Sequence, residues 1–314
     1  MAATGIGWTD LVWNVVTGCD RISRGCDNCY ALTFAARLKR MGNDKYQSDG
    51  NAITSGPGFG LTLHPDLLDW PTTITTPKRI FINSMSDLWH GKVPLSFIRD
   101  VFDVVRATPH LTYIALTKRS LRLARFADKL DWPDNLWVGV SIEAPEYAYR
   151  ADHLRRVPAA VRWISAEPLY EPLAADRLNL DGIGWLVVGG ESGLRAKPMH
   201  PDWARELRDR AVAEHIPLYF KQWGAWVPLD SMPPGTPADI KGRTMPVESG
   251  RPGVEAQPVV MRKVGSRRAG NVLDRRIWEN YPPAPAGVAA WAEAEHRAGR
   301  PAARVAGTPR LVTA

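Results

Sequence analysis

From about residue 78 onward one pattern recurs in the chain: a short β-rich run, a polar cluster, then an amphipathic stretch. The runs are residues 79–83, 111–116, 136–140, 161–165, 185–188 and 217–220, and an earlier run at 11–16 supplies a first strand. They are apolar almost throughout rather than alternating, which suits strands buried on both faces of a parallel sheet. The intervening stretches read as helices. Residues 94–107 place Phe97, Val101, Val104 and Val105 on one face, with Pro94 suited to a first helical turn. Residues 200–214 do the same with Trp203, Leu207 and Ala211; 145–157 reads as a more polar helix and 173–180 as a short one. Strand–helix alternation implies right-handed crossovers. No glycine fingerprint opens the first helix, so the expected fold is α/β, a complete or partial parallel β/α barrel of TIM type, over residues 1–227.

Two regions break the rhythm. Residues 43–77, rich in Gly, Ser, Thr and Pro, read as an insertion or long loop. Beyond Trp226, residues 228–258 are Pro- and Gly-rich and are expected to be irregular. A basic stretch, 262–270, and the segment 273–281 follow, anchored by Leu273 and Trp278; the whole of 228–283 is expected to pack back on the barrel. Residues 284–314 read as a disordered tail with one helix near 288–297. The formal charge of +7 admits a polyanionic partner such as nucleic acid, and the basic stretch has two readings: a solvated tail, or a clamp on phosphates from Arg262, Lys263, Arg267, Arg268, Arg275 and Arg276. No apolar run approaches the ~18 residues of a membrane span, and no signal peptide is visible, so a cytoplasmic protein without a membrane partner is expected.

All three cysteines fall between positions 19 and 29, as C-x6-C-x2-C, after the first strand and before a helix at 30–40. An odd number within one short loop excludes a disulfide scaffold. Three thiolates from one loop can converge on one centre, with Gly18 and Gly25 supplying backbone freedom. Three readings remain open at this point: a 4Fe–4S cluster on Cys19, Cys26 and Cys29 with one iron left open; a structural zinc, which wants a fourth ligand; or inert thiols.

Polar residues end each run. Carboxylates stand at or near four ends, Asp87, Glu143, Glu167 and Glu191, and Lys118, Arg119, Lys221 and Gln222 end two others. In a parallel barrel these ends gather at one mouth, where acids can bind an amino group, hold a ribose or move protons; alternatively they pair with Lys118, Arg119 and Lys221 to plug the barrel. Gly189 and Gly190 would let the backbone approach a ligand closely. Trp89 and Trp223 are candidates to line a pocket, with core packing as the competing role, while Trp137, Trp163 and Trp185 read as core. His90 is the one histidine placed to serve as a ligand or acid/base.

The blocks Thr17-Gly18-Cys19, Gly25-Cys26-Asp27-Asn28-Cys29-Tyr30, Asn83-Ser84-Met85-Ser86-Asp87-Leu88, Leu116-Thr117-Lys118-Arg119, Ser165-Ala166-Glu167-Pro168, Val188-Gly189-Gly190-Glu191-Ser192-Gly193 and Phe220-Lys221-Gln222-Trp223-Gly224 resemble a phage-associated three-cysteine family whose activity is not established. More broadly, a three-cysteine loop after strand one resembles the radical S-adenosylmethionine enzymes. The first gap here is six rather than the usual three, and Tyr30 follows the last cysteine instead of an aromatic preceding it. The resemblance implies a 4Fe–4S cluster, S-adenosylmethionine as cofactor, an external electron donor, and cofactor contacts near Ser84, Asp87, Ser141 and Glu143. It also implies a radical reaction on a substrate in the mouth, with a nucleic acid or nucleotide as the expected class. Two other functions compete: a zinc-stabilised nucleic-acid-binding protein without redox chemistry, and a barrel hydrolase built on the carboxylates.

Overall fold

The apolar runs become strands because their side chains are buried on both faces. In the computed structural model, which describes residues 4–232, 242–249 and 258–297, they are β1 (Leu11–Trp13), β2 (Arg79–Ile82), β3 (Thr112–Thr117), β4 (Leu136–Ser141), β5 (Val161–Ala166), β6 (Trp185–Gly189) and β7 (Leu218–Gln222). Every residue of β4 and β6 is buried. Helices alternate with them: α1 (Tyr30–Arg40), α2 (Leu95–Ala107), α3 (Ser120–Arg125), α4 (Tyr149–Arg155) and α5 (Pro201–Ala213). Seven parallel strands alternating with helices make the fold α/β, as in a partial β/α barrel.

Internal packing divides the chain into two units. The first comprises the described parts of Met1–Val140, His153–Arg162 and Pro282–Ala314. Its strands run β1-β2-β3-β4, all parallel, with Trp13 opposite Ile82, Ile82 opposite Ala115, and Ala115 opposite Val138. Helix α2 buries Phe97, Ile98, Val101, Phe102 and Val105, each worth about 1.5–3 kcal/mol. The stripe thus includes Ile98 and Phe102 where the expected face had Val104, which is half-buried. Pro94 stands one residue before the helix, in extended backbone, rather than inside its first turn.

The expected run at 11–16 is split. Asn14 interrupts it by accepting from Ser84 Oγ and the Met85 backbone N–H, both at 3.3 Å. Beyond it Val16–Thr17 pairs antiparallel with Thr62–Leu63, inside the region expected to be an insertion. Near the end of the unit α7 (Ala286–Arg297) follows, where Gly287 lies so close to the Pro109 carbonyl that a Cβ would meet it at 2.3 Å.

The second unit comprises Ser141–Asp152 and Trp163–Tyr281 in their described parts. It holds β5-β6-β7 in parallel, with a register irregularity between Val188 and Gly189. Its core is aromatic: the Trp163 and Trp185 rings lie 5.1 Å apart, and Tyr281 packs 5.6 Å from Trp185. The helix expected at 173–180 does not form. Leu173, Leu178 and Leu180 are buried without helical spacing, and the carbonyls of Leu173 and Leu178 accept instead from the Arg210 guanidinium. The polar helix expected at 145–157 opens with a 3-10 turn, Pro145–Tyr147, before α4. Nor is 228–258 wholly irregular. β8 (Trp226–Pro228), β9 (Thr244–Val247) and β10 (Val259–Lys263) form an antiparallel sheet in the order β8-β10-β9, while 233–241 and 250–257 lie outside the described residues, as do the tail residues 298–314. No helix among the described residues is long and apolar enough to cross a membrane.

One buried amide closes the first unit's α2–β3 connection. Asn135 Nδ2 donates to the carbonyls of Val105, Thr108 and Leu111 at 3.0, 3.1 and 3.0 Å. The Val105 and Thr108 carbonyls keep the Thr108 and Leu111 N–H donors, while the Leu111 carbonyl loses the donor given for it, so Asn135→Ala is expected to lower unfolding free energy by about 1–3 kcal/mol in urea titrations; a loss within error of zero would contradict this role.

Candidate functional site

The cysteine loop lies in the first unit, and its path is set from both sides. On one side, Asn83 adopts a left-handed backbone (φ 62°), tolerable for Asn, and its Oδ1 accepts from the Val16 N–H at 3.0 Å. Ser86 Oγ donates to the Val16 carbonyl (2.7 Å), and the Gly18 N–H donates to the Met85 carbonyl (3.0 Å). The Tyr30 hydroxyl, at the start of α1, donates to the Ser84 carbonyl at 2.6 Å. The block 83–86 is therefore a platform under the loop.

On the other side stand residues 43–64. Gly18 has φ 85°, and a Cβ there would lie 2.2 Å from the Gly60 carbonyl oxygen. The Asp20 carboxylate accepts from Thr54 Oγ1 (2.6 Å) and Ser55 Oγ (2.7 Å) and pairs with His90 Nε2 (2.9 Å). Those hydroxyls, Thr54 before Ser55, hold its pKa well below the ordinary carboxylate value. The Arg21 N–H donates to the Thr54 carbonyl, and the Thr17 hydroxyl meets His64 Nε2 at 2.8 Å. A cleft of about 180 Å³ lies between the two, lined by Cys19, Asp20, Asp49, Asn51, Ser55 and Lys92. Read from sequence as a plain insertion, this segment packs directly on the first cysteine. Asp20 was missed altogether, its one signal being adjacency to Cys19.

The three thiols are half-buried and unlinked. Cys19 and Cys29 pack against Ala31, Ala35, Tyr46, Phe59 and Met85. Burial pushes the Cys19 thiol up to about 12, with nearby Asp87 adding to the shift and Arg119 opposing it. Burial likewise raises Cys29, against backbone donors at the start of α1 and the charge of Lys118. Both loop sulfurs therefore sit where a thiolate is costly unless a cation joins it. Arg119 is the local cation: its guanidinium lies 3.9 Å from Cys19 Sγ and donates to the Asp20 carbonyl at 3.0 Å.

Asp87 faces the same place. It is buried, accepts from Thr117 Oγ1 at 2.8 Å and from the Trp89 and Lys118 N–H groups, and has Arg119 Nε 3.8 Å away. Burial raises its pKa despite Arg119 and these donors. The first unit thus brings together Cys19, Cys26, Cys29, Ser84, Asp87, Lys118, Arg119 and His90. Trp89, a candidate pocket wall, is fully buried and is core.

The second unit holds the other candidates, and the structure separates their roles. Glu143 is 0% exposed and pairs at 2.8 Å with Arg150, itself 1% exposed. Arg150 also donates to the Ser141 carbonyl (2.7 Å) and stacks 4.3 Å over Tyr147. Glu191 accepts from the Tyr170 hydroxyl and the Lys197 N–H, and is tied into the loop after β6. Glu167 pairs with Lys221 at 2.7 Å, and both keep partial exposure. Trp223 is buried core. Gly190 carries no cradle for a ligand: a Cβ there would strike the Trp223 carbonyl oxygen at 2.0 Å, so its lack of side chain admits protein backbone. At Gly189 the neighbour is Glu167 Oε2, 3.0 Å from where a Cβ would stand. Arg150, Tyr170 and Lys197 were not anticipated; Arg150 lies seven residues after Glu143, a spacing with no signature of its own.

Among the described residues no group of three or more His, Cys, Asp or Glu side chains is arranged to hold a metal ion. The donor chemistry nevertheless fits a thiolate-held centre: three sulfurs in one loop, Cys26 acting electrostatically on both Cys19 and Cys29, and two of the three thiols destabilised as anions until a cation arrives. The molecule is thus an α/β protein with a pinned three-thiol loop. It belongs to a family described as protein of unknown function (DUF5131), whose model matches residues 3–282. Among solved structures it is similar to spore photoproduct lyase complexed with dinucleoside spore photoproduct, at 13% identity and a TM-score of 0.39, over 80% of this chain and 67% of that one. A comparison with curated proteins gives no match.

Two outcomes test these assignments. Gly18→Ala forces both a strained φ and a backbone clash, so it is expected to cost about 1–3 kcal/mol or more and to expose residues 48–61 to limited proteolysis. Glu143→Gln removes the charge facing a buried guanidinium and is expected to destabilise by about 3–5 kcal/mol, whereas Glu167→Gln, in a partly exposed pair, should cost no more than about 1 kcal/mol in the same denaturation experiment.

Proposed function

We propose that this chain is an iron–sulfur enzyme of the radical S-adenosylmethionine type, with Cys19, Cys26 and Cys29 as the ligands of a 4Fe–4S cluster. The observation that carries the proposal is the donor set: three thiols and no fourth cysteine, in a loop held on one side by the 83–86 platform and on the other by 43–64. Cys19, Cys26 and Cys29 would hold the cluster, which with an external electron donor would supply the reductive cleavage of S-adenosylmethionine.

The chain's own residues have distinct tasks in this scheme. Arg119 places a fixed positive charge beside Cys19 Sγ, which lowers the cost of the thiolate and limits the negative charge of the loaded loop. Asp87, held by Thr117 and by two backbone N–H groups, orients Arg119. Asp20 and His90 hold the loop's first turn in place. The cleft beside Cys19 offers the Lys92 cation and hydrogen-bonding groups of Asn51 and Ser55 to the polar end of a ligand. In the second unit Glu167 and Lys221 pair at 2.7 Å, both partly exposed. Glu143 and Glu191 position backbone, with Ser141 held through its carbonyl.

The experiment is anaerobic reconstitution of the full chain beside the Cys19→Ala/Cys26→Ala/Cys29→Ala variant. The expected result is about four irons per chain with a broad absorption near ~400 nm, both lost in the variant, followed by 5′-deoxyadenosine on addition of S-adenosylmethionine and dithionite. Protein that takes up no iron, or one zinc in its place, overturns the proposal; so does a loaded cluster that leaves S-adenosylmethionine intact.

A further inference from the structure

The second unit carries a structured group of arginines with no part in the cysteine loop. After α6 (Ser266–Ala269) the chain forms a hairpin, β11 (Val272–Leu273) and β12 (Arg276–Ile277), and then runs antiparallel beside β7. The Phe220 N–H donates to the Trp278 carbonyl (2.8 Å) and the Asn280 N–H to the Leu218 carbonyl (2.9 Å). On the other flank Trp223 donates through Nε1 to the Val272 carbonyl at 2.9 Å. Leu273 is 0% exposed and anchors the hairpin.

Its turn residues, Asp274 (φ 50°) and Arg275 (φ 62°), both adopt left-handed backbone, as a two-residue type I′ turn requires. Asp274 is a natural choice there and is clamped by Arg205 and Arg208 of α5. Arg275 is not, since Gly is the preferred second residue. A long cationic side chain is thus held at a position where the backbone alone favours none.

The charge balance sharpens the point. Asp202, Asp209 and Asp274 are all engaged by Arg205 and Arg208. Arg267, Arg268, Arg275 and Arg276 are exposed, and no carboxylate among the described residues pairs with them. Arg276 lies 4.1 Å over the half-buried Trp278 ring, which fixes its direction. From Val264 to Tyr281 the chain has no lysine. Guanidinium groups with planar donor forks match phosphate oxygens, whereas membrane-surface patches rely on several inserted apolar side chains beside their charges; in this hairpin Leu273 is buried, Val272 is half-buried, and Ile277 alone is an exposed apolar side chain.

We infer that the exposed arginines of the helical turn at 266–269 and of the 272–277 hairpin form a docking surface for the phosphate backbone of a nucleic acid. This stands apart from the iron–sulfur proposal, because binding requires neither iron nor S-adenosylmethionine, and either can fail alone.

The test is fluorescence anisotropy of the full chain, without added iron, with a 20-base-pair DNA duplex and with its single strand, across a salt series. Four phosphate contacts predict that affinity for the duplex falls roughly 100-fold between 50 and 200 mM salt. Arg267→Gln/Arg268→Gln/Arg275→Gln/Arg276→Gln should reduce the magnitude of the slope of log K against log salt by about 3.6 and weaken binding at least tenfold at 50 mM salt. The charge-matched variant Arg37→Gln/Arg40→Gln/Arg125→Gln/Arg156→Gln, of exposed arginines in the first unit, should change binding less than threefold. Arg275→Gln/Arg276→Gln alone, confirmed folded by its thermal transition, should give about half the slope change. Equal losses in the two quadruple variants, no binding to either nucleic acid, or binding to phosphatidylserine vesicles in place of DNA would overturn the inference.

Discussion

The cysteine loop depends on one contact between two backbones. Gly18 and the Gly60 carbonyl approach so closely that neither chain could pass if a β-carbon stood between them. Everything that follows on the loop is built out from there. Asp20, two residues on, gathers two hydroxyls and an imidazole; Arg119 spans from the Asp20 carbonyl to Cys19; and Asp87 stands behind Arg119. A side chain one carbon larger at the crossing would move the first sulfur, its arginine and the carboxylate behind it together.

The parts of this arrangement differ in how readable they were. Continuous apolar runs marked the parallel strands because burial on both faces leaves no alternation to mislead. The helix at 30–40 emerged with its bounds intact, since Cys29 precedes it and Gly42 ends its pattern. The role of 43–64 was invisible for a physical reason: its grip on the loop is made by glycine backbones, short hydroxyls and a two-residue strand pair, none of which has a periodicity. Leu173, Leu178 and Leu180 misled in the opposite sense, apolar enough to suggest a helix yet spaced to anchor a loop. The strand-end rule located Asp87, Glu143, Glu167 and Glu191, but chain position cannot tell an acid with a buried arginine beside it from one that keeps contact with water.

That distinction matters for chemistry. Glu143 and Arg150 are both withdrawn from solvent, so the desolvation of each charge is offset only by the other, and a proton entering the pair would leave a bare cation in the core. Glu167 and Lys221 both keep partial contact with water, so losing either charge strands its partner less completely. The glycines divide in the same manner. Gly189 and Gly190 look like a ligand cradle in sequence, but the space above Gly190 is filled by the Trp223 carbonyl, so Gly190 admits the backbone that follows β7, while Gly189 faces the Glu167 carboxylate.

The segment Trp278–Asn280 lies along β7, the terminal strand of the parallel sheet, and occupies hydrogen-bonding groups that such a strand would otherwise offer to any passing chain. Two of those groups, on Leu218 and Phe220, are satisfied from sixty residues downstream, long after the sheet itself is complete. A ribosome-bound or proteolysed form that ends before Trp278 would therefore carry an unguarded strand ready to pair with its own copies. Resistance to self-association would thus hinge on a stretch that also serves the interior, where the Asn280 carbonyl accepts from Trp185 Nε1 at 3.0 Å.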